Sequence, residues 1–329
     1  MKHAFKTLAA ALAVAMPLAV APALAQTELR ISTAAPENSP LSDAFRHIKQ
    51  RMEAKFPGQI KVSVHPASTL FRQGTELPAM QRGNVEMASP VTFEIEGQLP
   101  EYGVFSAAYL FRDPDHLIKT FRSDVGKEFV DDVATKMGIV ILDTAYLGTR
   151  TVNLRSDKPV KAPTDLSGVK MRMPPGPAFQ MLANALGATA VSMPITEVYL
   201  GLKTGAIDAQ DNPTNMTRDW KFQEVTKQVI LTRHLVQPVF LAIAKPVFDK
   251  LTPDQQAELR AAAREAADMQ IAKTLKDEKD AIETFKAAGI AVVEPDVAAF
   301  KAAVMEQYKK AGLMDKWKPG LQARIEAVK

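Results

Sequence analysis

The stretch LRISTAAPENSPLSDAFRHIKQRMEAKFPGQIKVSVH, residues 29–65, decides the class of fold. Apolar and polar residues alternate over 29–33, which predicts a first strand. Ser39-Pro40 is typical of a helix start, and apolar residues then recur at helical spacing until Pro57-Gly58. A second strand is predicted over 60–65. Strand, helix and strand in this order indicate an α/β protein.

The same alternation of short apolar runs and amphipathic stretches continues along the chain. Further strands are predicted over 85–89, 139–146, 169–173, 189–193 and 207–209. Thr252-Pro253 predicts the start of the longest helix, which continues to Ala288-Gly289. No low-complexity linker, charge block or repeat divides the chain. The pattern therefore predicts mainly parallel sheets and interwoven domains.

The composition is that of an ordinary globular protein of 329 residues, 47% of them hydrophobic and 24% charged. At roughly 100 to 200 residues per domain, this length predicts about two domains. The sequence contains no cysteine, which excludes disulfides, thiolate nucleophiles and cysteine-ligated metals.

Residues 1–25 have the pattern of a secretory signal peptide. Lys2 and Lys6 precede an apolar run from Leu8 to Val20, and Ala23-Leu24-Ala25 is a typical cleavage site. A retained membrane anchor is the alternative, but the run is shorter than the roughly 20 residues that a span requires. Removal of the two lysines reduces the excess of basic over acidic residues from four to two, so no nucleic-acid partner is expected. A bacterial periplasm is the expected location.

Motifs for catalysis are absent from the sequence. It has no G-x-S-x-G elbow, no H-E-x-x-H, no P-loop and no G-x-G-x-x-G after a strand. His47, His65, His116 and His234 lack the short spacings that mark a zinc site. We therefore expect neither a metal nor another cofactor.

Two arginines in apolar strands and one asparagine are the candidate binding residues. Arg150 ends the motif G-T-R, and Arg172 lies within K-M-R-M-P. A buried guanidinium keeps its charge and needs an anionic partner, which is either an internal carboxylate or a bound ligand. Asn212, before Pro213, either caps the next helix or presents its amide to a ligand.

The order of these motifs resembles that of one family. The chain resembles the DctP-type solute receptors of tripartite ATP-independent periplasmic (TRAP) transporters. The resemblance covers nearly the whole chain after residue 25. The motifs that carry it are G-T-R at 148–150, K-M-R-M-P at 170–174, P-I-T-E-V-Y-L-G-L at 194–202, I-D-A-Q-D-N-P at 207–213 and K-F-Q-E-V at 221–225.

This resemblance implies a two-lobe α/β fold with a cleft between the lobes, strands that cross between them and a long spanning helix. Lobe I is expected to comprise residues 26–147 plus about 236–275, and lobe II residues 148–235 plus about 276–329. The resemblance also implies that Arg172 forms a bidentate salt bridge with a ligand carboxylate, and that Arg150 and Asn212 contact the ligand.

Further candidates for the cleft come from turns that the resemblance places there. They are Gln73, Glu76, Ser89, Thr92 and Gln237, and for each of them a solvated loop is the open alternative. Trp220 would stack on a ligand ring or belong to the core.

The nature of the acid follows from the same residues. Hydroxyl and amide groups suit a sugar acid such as a uronate or aldonate, which we favour, whereas the pair Arg150 and Arg172 suits a four-carbon dicarboxylate. Ala34 and Val91 stand where sialic-acid receptors of this family usually have asparagine and glutamate, so sialic acid is disfavoured.

The resemblance predicts a monomeric periplasmic binding protein that delivers a small carboxylate to TRAP membrane permease subunits and catalyses no reaction. One alternative is a periplasmic lyase or isomerase that uses Glu76 or another carboxylate as a base. A receptor that presents its ligand to a sensor or an ATP-driven transporter is the other alternative.

Overall fold

The computed structural model describes residues 26–329, and it begins with the predicted strand, helix and strand. The strand β1 spans Thr27–Ser32, the helix α1 spans Pro40–Lys55, and β2, parallel to β1, spans Ile60–His65. Ser39 caps α1, since its hydroxyl accepts a hydrogen bond from Ser42 N at 3.2 Å. The predicted signal peptide, residues 1–25, lies outside the described residues.

The remaining elements alternate in the same way. The strands are β3 (Met87–Ala88), β4 (Ile139–Leu154), β5 (Lys170–Met173), β6 (Thr189–Ser192), β7 (Ala209–Pro213), β8 (Gln228–Ala244) and β9 (Ala291–Val293). The helices are α2 (Glu76–Gln81), α3 (Thr92–Glu96), α4 (Pro114–Phe121), α5 (Asp124–Met137), α6 (Pro177–Ala185), α7 (Ile195–Thr204), α8 (Thr214–Asp219), α9 (Lys245–Phe248), α10 (Pro253–Ala287), α11 (Val297–Lys310) and α12 (Leu321–Glu326). Short 3-10 turns cover Pro100–Ser106, Pro163–Leu166, Phe222–Val225 and Met314–Lys316.

The strands form a sheet in the order β2-β1-β3-β8-β4-β7-β5-β6, with β9 paired to β8. The outer strands pair in parallel. The two long strands at the centre, β4 and β8, pair antiparallel with each other, and each pairs antiparallel with its other neighbour on this path. The predicted α/β fold with crossing strands is confirmed, but the expectation of a mainly parallel sheet fails at this central pair.

The sequence pattern missed β8 and misplaced β7. Every residue of β8 except Arg233 is buried, and a strand buried on both faces has no apolar–polar alternation to reveal it. The strand predicted over 207–209 starts at Ala209 and continues through Asp211 and Asn212, where the sequence favoured a turn. These polar residues tolerate a buried strand because their side chains are paired inside the protein.

The long helix α10 confirms the predicted spanning helix. It packs against α1 and β4 and reaches α8 and β9 farther along its length. Its start is capped by Thr252, whose hydroxyl accepts from Gln255 N at 3.3 Å, while Gln255 Oε1 accepts from Thr252 N at 3.0 Å. Within residues 26–329 no helix is both long and apolar enough to cross a membrane.

The last two helices lie on different parts of the molecule. α11 packs against α6 and β8, whereas α12 packs against α5. Arg324 of α12 donates to Glu128 of α5, with Nη1 2.7 Å from Oε2. The chain therefore leaves the neighbourhood of α6 before residue 321 and ends beside α5.

The bulge near Gly148 lies where β4 crosses under α10. The register of β4 on β8 shifts between Tyr146 and Gly148. Gln270 of α10 accepts from Tyr146 N at 3.1 Å and donates to Tyr146 O at 2.8 Å. Glu278 Oε1 accepts from Thr149 N at 2.6 Å. Side chains of α10 thereby bind backbone groups at the point where the ladder is irregular.

Substitution of Gly148 should be costly. Its φ is 136°, and a Cβ atom there would lie 2.4 Å from Pro213 Cβ. We expect Gly148→Ala to lower the free energy of unfolding by at least about 2 kcal/mol, because backbone strain and steric overlap add. The control is Gly58→Ala, where φ is 73° but no atom lies within 4 Å of the added Cβ. Equal losses for both variants in urea denaturation would contradict the close approach to Pro213.

Candidate functional site

A pocket opens at the carboxyl ends of β1 and β3, beside the centre of the crossing strands. Its empty volume, open solvent included, is about 450 Å³. It is lined by Thr33, Ala34, Ala35, Leu41, Gln73, Glu76, Ser89, Val91, Phe93, Glu94, Leu147, Met216 and Val239. Three of the predicted residues, Gln73, Glu76 and Ser89, are therefore together on its wall.

Hydroxyl groups occupy the strand ends at the pocket. Thr33 follows β1 and Ser89 follows β3, and these strands are parallel neighbours. Their side-chain oxygens lie 2.8 Å apart, and Thr33 Oγ1 also accepts from Ala35 N at 3.2 Å. The pair presents polar groups to a pocket whose walls are otherwise largely apolar.

Two carboxylates also line the pocket. Glu76 Oε2 accepts from Gly74 N and Glu94 Oε2 accepts from Val91 N, each at 2.9 Å. Burial raises the pKa of Glu76 to about 7. Burial, together with the charge of Glu76, raises the pKa of Glu94 to about 8, although the residue as a whole is only half-buried. Both groups therefore hold protons more tightly than an ordinary glutamate.

Gln73 connects the pocket to Arg172. Its Oε1 accepts from Arg172 Nη2 at 2.9 Å and from Ile195 N at 2.8 Å. Gln73 precedes α2, whereas Arg172 lies in β5 and Ile195 begins α7. One amide oxygen thus joins the segment before α2 to the part of the sheet formed by β5 and β6.

Arg172 is fully buried and has no carboxylate partner of its own within residues 26–329. Its Nε donates to Met193 O at 2.7 Å, and its Nη1 has no hydrogen-bond partner among residues 26–329. Desolvation lowers the pKa of Arg172 to about 9, so the guanidinium remains charged at neutral pH. The carboxylate of Asp211 favours this charge from a distance, but it is bound to another arginine.

That other arginine is Arg150. Its Nε lies 2.6 Å from Asp211 Oδ2, its Nη2 lies 2.8 Å from Asp211 Oδ1, and its Nη1 donates to Gln237 Oε1 at 2.8 Å. The guanidinium also lies 4.9 Å from the ring centre of Phe179. Two of the predicted residues, Arg150 and Gln237, therefore meet in a buried network, with an internal carboxylate as the anionic partner.

Burial alone would raise the pKa of Asp211, but the charge and hydrogen bonds of Arg150 outweigh it and hold that pKa well below the usual range. His234 Nε2 lies 3.2 Å from Asp211 Oδ2. Burial lowers the pKa of His234 despite this carboxylate, so its imidazole is neutral at pH 7. The network therefore contains one full cation and one full anion.

Asn212 belongs to a third buried group. Its Nδ2 donates to Gln210 Oε1 at 2.5 Å, and Gln210 in turn donates to Asn153. Gln210 is the register partner of Arg172 on the neighbouring strand, so Arg172, Gln210 and Asn212 share one face of the sheet. Asn153 Nδ2 has no partner among the described residues.

The remaining predicted positions lie beside the pocket or in the core. Thr92 is buried at the start of α3 and is not part of the pocket wall. Trp220 packs with Ile195 and Phe222 in a satellite core, and its ring lies 6.3 Å from that of Phe222. Ala34 and Val91 both line the pocket.

Sequence reasoning missed Glu94 and Asp211. Glu94 lies in the first turn of α3, three residues after Val91, a position from which an acid can bind the backbone at a helix start. That local signal was available. Asp211 is adjacent to Asn212, but its pairing with Arg150, 61 residues earlier, is a tertiary contact.

The segments around α2 and α3 contact those around α6 and α7 beside the pocket. Arg72 pairs with Glu197, and the rings of Phe93 and Phe179 meet edge to face at 4.7 Å. A Cβ atom on Gly176 would lie 3.0 Å from the ring of Phe93. The segments around α2 and α3 are therefore closed onto those around α6 and α7.

No group of three or more acidic or histidine side chains within residues 26–329 is arranged to hold a metal ion.

The family model described as "Bacterial extracellular solute-binding protein, family 7" matches residues 31–313. The 2,3-diketo-L-gulonate-binding periplasmic protein YiaO of Escherichia coli is 31% identical over 89% of this chain and 89% of its own.

Two solved structures extend the comparison. A TRAP periplasmic solute-binding protein from Roseobacter denitrificans, with bound 3-deoxy-D-manno-oct-2-ulosonic acid, superposes with a TM-score of 0.88 at 36% identity, covering 92% of this chain and 100% of that one. Another from Pseudomonas putida F1, with bound D-glucuronate, has a TM-score of 0.85 at 26% identity, covering 92% and 98%.

Removal of a charge should affect stability differently at the two buried arginines. Asp211→Asn leaves Arg150 buried without its anion, and we expect the free energy of unfolding to fall by about 3 to 5 kcal/mol. Arg172→Gln removes a buried charge that has no bound carboxylate, so the ligand-free protein should lose far less or gain stability. Chemical denaturation of protein freed of ligand by unfolding and refolding would measure both. A larger loss for Arg172→Gln would contradict this assignment of partners.

The raised pKa of Glu94 predicts a pH-dependent stability. The folded state binds the proton more tightly than the unfolded chain, so this group costs stability as pH rises from about 4.5 through about 8. Glu94→Gln should therefore raise the melting temperature of ligand-free protein more at pH 8 than at pH 5. Equal shifts at the two pH values would show that the carboxylate is not destabilised by burial.

Proposed function

We propose, since the chain belongs to the bacterial extracellular solute-binding proteins of family 7, that it captures a sugar acid in the periplasm and hands it to TRAP permease subunits in the membrane. Membership of the family makes the chain a substrate-binding component of a transport system.

The observation that carries the proposal is the free Nη1 of Arg172. Burial of a guanidinium with an unbonded N–H group lowers the stability of the folded protein unless an anion binds that group and offsets the charge. Asp211, the carboxylate that acts on it, is already bound by Arg150 in two hydrogen bonds. A ligand carboxylate is the group that supplies both the charge and the acceptor oxygens in the geometry of the guanidinium fork.

The rest of the ligand should carry hydroxyl groups. The pocket that adjoins Gln73 presents hydroxyls from Thr33 and Ser89 and carboxyl groups from Glu76 and Glu94, all of which exchange hydrogen bonds with alcohols. Similar proteins are named for, or contain, 2,3-diketo-L-gulonate, D-glucuronate and 3-deoxy-D-manno-oct-2-ulosonic acid, each an acid with several oxygen substituents.

The four-carbon dicarboxylate is the weaker candidate. A ligand with two carboxylates needs both Arg150 and Arg172 as free cations. Arg150, however, is already bound to Asp211 and Gln237. A second ligand carboxylate would have to displace Asp211 from this buried pair, at a cost of several kcal/mol. A role for Arg150 and Asn212 through direct ligand contact remains part of the proposal, with Asn212 on the same face as Arg172.

Closure of two lobes is the proposed mechanism. Lobe I would comprise residues 26–147 and about 236–275, and lobe II residues 148–235 and about 276–320, with α12 assigned to lobe I because Arg324 pairs with Glu128. Gln73, Arg72 and Phe93 would then be the contacts that lobe I makes with lobe II across the cleft. Water exclusion by closure would strengthen the hydrogen bonds to the acid.

We also propose that the protein acts as a monomer and catalyses no reaction. An isomerase or lyase would use the Glu76 carboxylate, whose pKa is raised, as its base. Chemical conversion of an acid incubated with the protein would favour that alternative.

The central test is the loss of binding when Arg172 loses its charge. Arg172→Gln should weaken binding of the best acid by at least about 30-fold, since removal of one partner of a buried charge pair costs roughly 2 to 5 kcal/mol. Arg155→Gln is the matched control, because it removes the same charge from an arginine that is partly exposed. Arg155 has its own carboxylate neighbour, with Nη1 3.8 Å from Asp208 Oδ1. Unchanged affinity of Arg172→Gln would overturn the proposed site.

The ligands for this test come from a thermal-shift screen of refolded protein against uronates, aldonates, keto acids, four-carbon dicarboxylates and sialic acid. A ligand that binds only the folded state raises the melting temperature. We expect sugar acids to give the largest shifts. Shifts confined to dicarboxylates would contradict the sugar-acid assignment while leaving the family role intact.

A further inference from the structure

The charged residues of the pocket wall are all acidic. Among the lining residues, Glu76 and Glu94 carry carboxylates, and none is lysine, arginine or histidine. Within residues 26–329, no basic group shifts the pKa of either one. Two acids that face one cavity without a counter-ion lower the stability of the folded protein. Groups placed at such a cost are typical of sites where they act on a ligand.

The backbone holds both carboxylates in place. Gly74 N and Val91 N each donate to one oxygen of a glutamate at 2.9 Å. Glu76 begins α2 and Glu94 lies in α3, so the two acids reach the cavity from separate elements. Their arrangement is therefore a feature of the pocket rather than a property of one flexible loop.

Arg172 lies on the other side of Gln73. Gln73 Oε1 bonds Arg172 Nη2 at 2.9 Å, and Gln73 itself lines the pocket. Arg172 itself does not line the pocket, and Gln73 is the residue that contacts both. We take the ligand to run from Arg172 past Gln73 into the pocket, with the two glutamates at its far end. A linear acid bound at Arg172 would extend its other end towards the two glutamates.

We propose that Glu76 and Glu94 determine specificity: they accept hydrogen bonds from hydroxyl groups at the far end of the ligand and repel a second carboxylate there. This inference rests on the proposed function, because it takes Arg172 as the group that binds the first carboxylate. Specificity then arises from a repulsive element as well as an attractive one.

The protonation of the pair is consistent with this role. Around neutral pH, pKa values of about 7 and about 8 leave the pair with a retained proton and a remaining negative charge. The protonated carboxyl can donate to a ligand hydroxyl oxygen, while the ionised one accepts from a ligand hydroxyl. The remaining charge opposes a ligand carboxylate.

The test compares two ligands that differ only at the far end. D-Gluconate ends in a CH2OH group and D-glucarate ends in a carboxylate at the same position. If another monocarboxylate binds better in the screen, it replaces gluconate and is paired with its own terminally oxidised form. Dissociation constants are measured by calorimetry at pH 9, where both glutamates are ionised and each pocket variant removes one negative charge. The proteins compared are the wild type, Glu76→Gln, Glu94→Gln and the control Glu306→Gln, which removes an exposed carboxylate from α11.

We expect the wild type and Glu306→Gln to prefer the monocarboxylate by at least about tenfold, and each pocket variant to reduce this ratio by about tenfold, because like charges in contact oppose binding strongly. Either pocket variant is sufficient for the test, so the other still decides the outcome if one of them does not fold. An unchanged ratio in a folded pocket variant overturns the inference while the proposed function stands. If no acid binds the wild type, both fail.

Discussion

The charge of Arg172 constrains the whole cleft. The guanidinium is buried in β5 with two of its nitrogens bound to neutral oxygens and the third without a partner among the described residues. Neutral acceptors do not cancel a positive charge. The folded protein keeps this imbalance, and the carboxylate that we propose as its ligand would relieve it. The proposed affinity for a carboxylate would then follow from a local instability that the remainder of the fold must support.

Arg150 illustrates the opposite solution to the same problem. It is equally inaccessible, but Asp211 and Gln237 engage its fork and Phe179 covers its face. The two arginines lie close enough for the charge of Arg150 to disfavour that of Arg172. One of them is balanced within the protein, which leaves a single uncompensated cation for the ligand. This division favours a ligand with one carboxylate over a ligand with two.

The sequence predicted the first strand, helix and strand nearly to the residue, because apolar periodicity and the Ser39 cap are local signals. It also predicted the long helix α10 and the two-lobe class. It could not reveal β8, whose continuous burial removes alternation, or the partner of Arg150, since no local pattern links positions 61 residues apart. The residues and the family resemblance together supplied the candidate site residues, whereas only the structure shows that Arg150 has a carboxylate partner and that Arg172 has none among residues 26–329.

The most direct test of the central claim is a crystal structure of the protein with the acid that gives the largest thermal shift. The account predicts that a carboxylate oxygen of the ligand lies about 2.7 to 2.9 Å from Arg172 Nη1, the range of charge-assisted hydrogen bonds, while Asp211 still binds Arg150. A ligand carboxylate bound elsewhere, with Arg172 Nη1 bonded only to protein groups, would contradict the account.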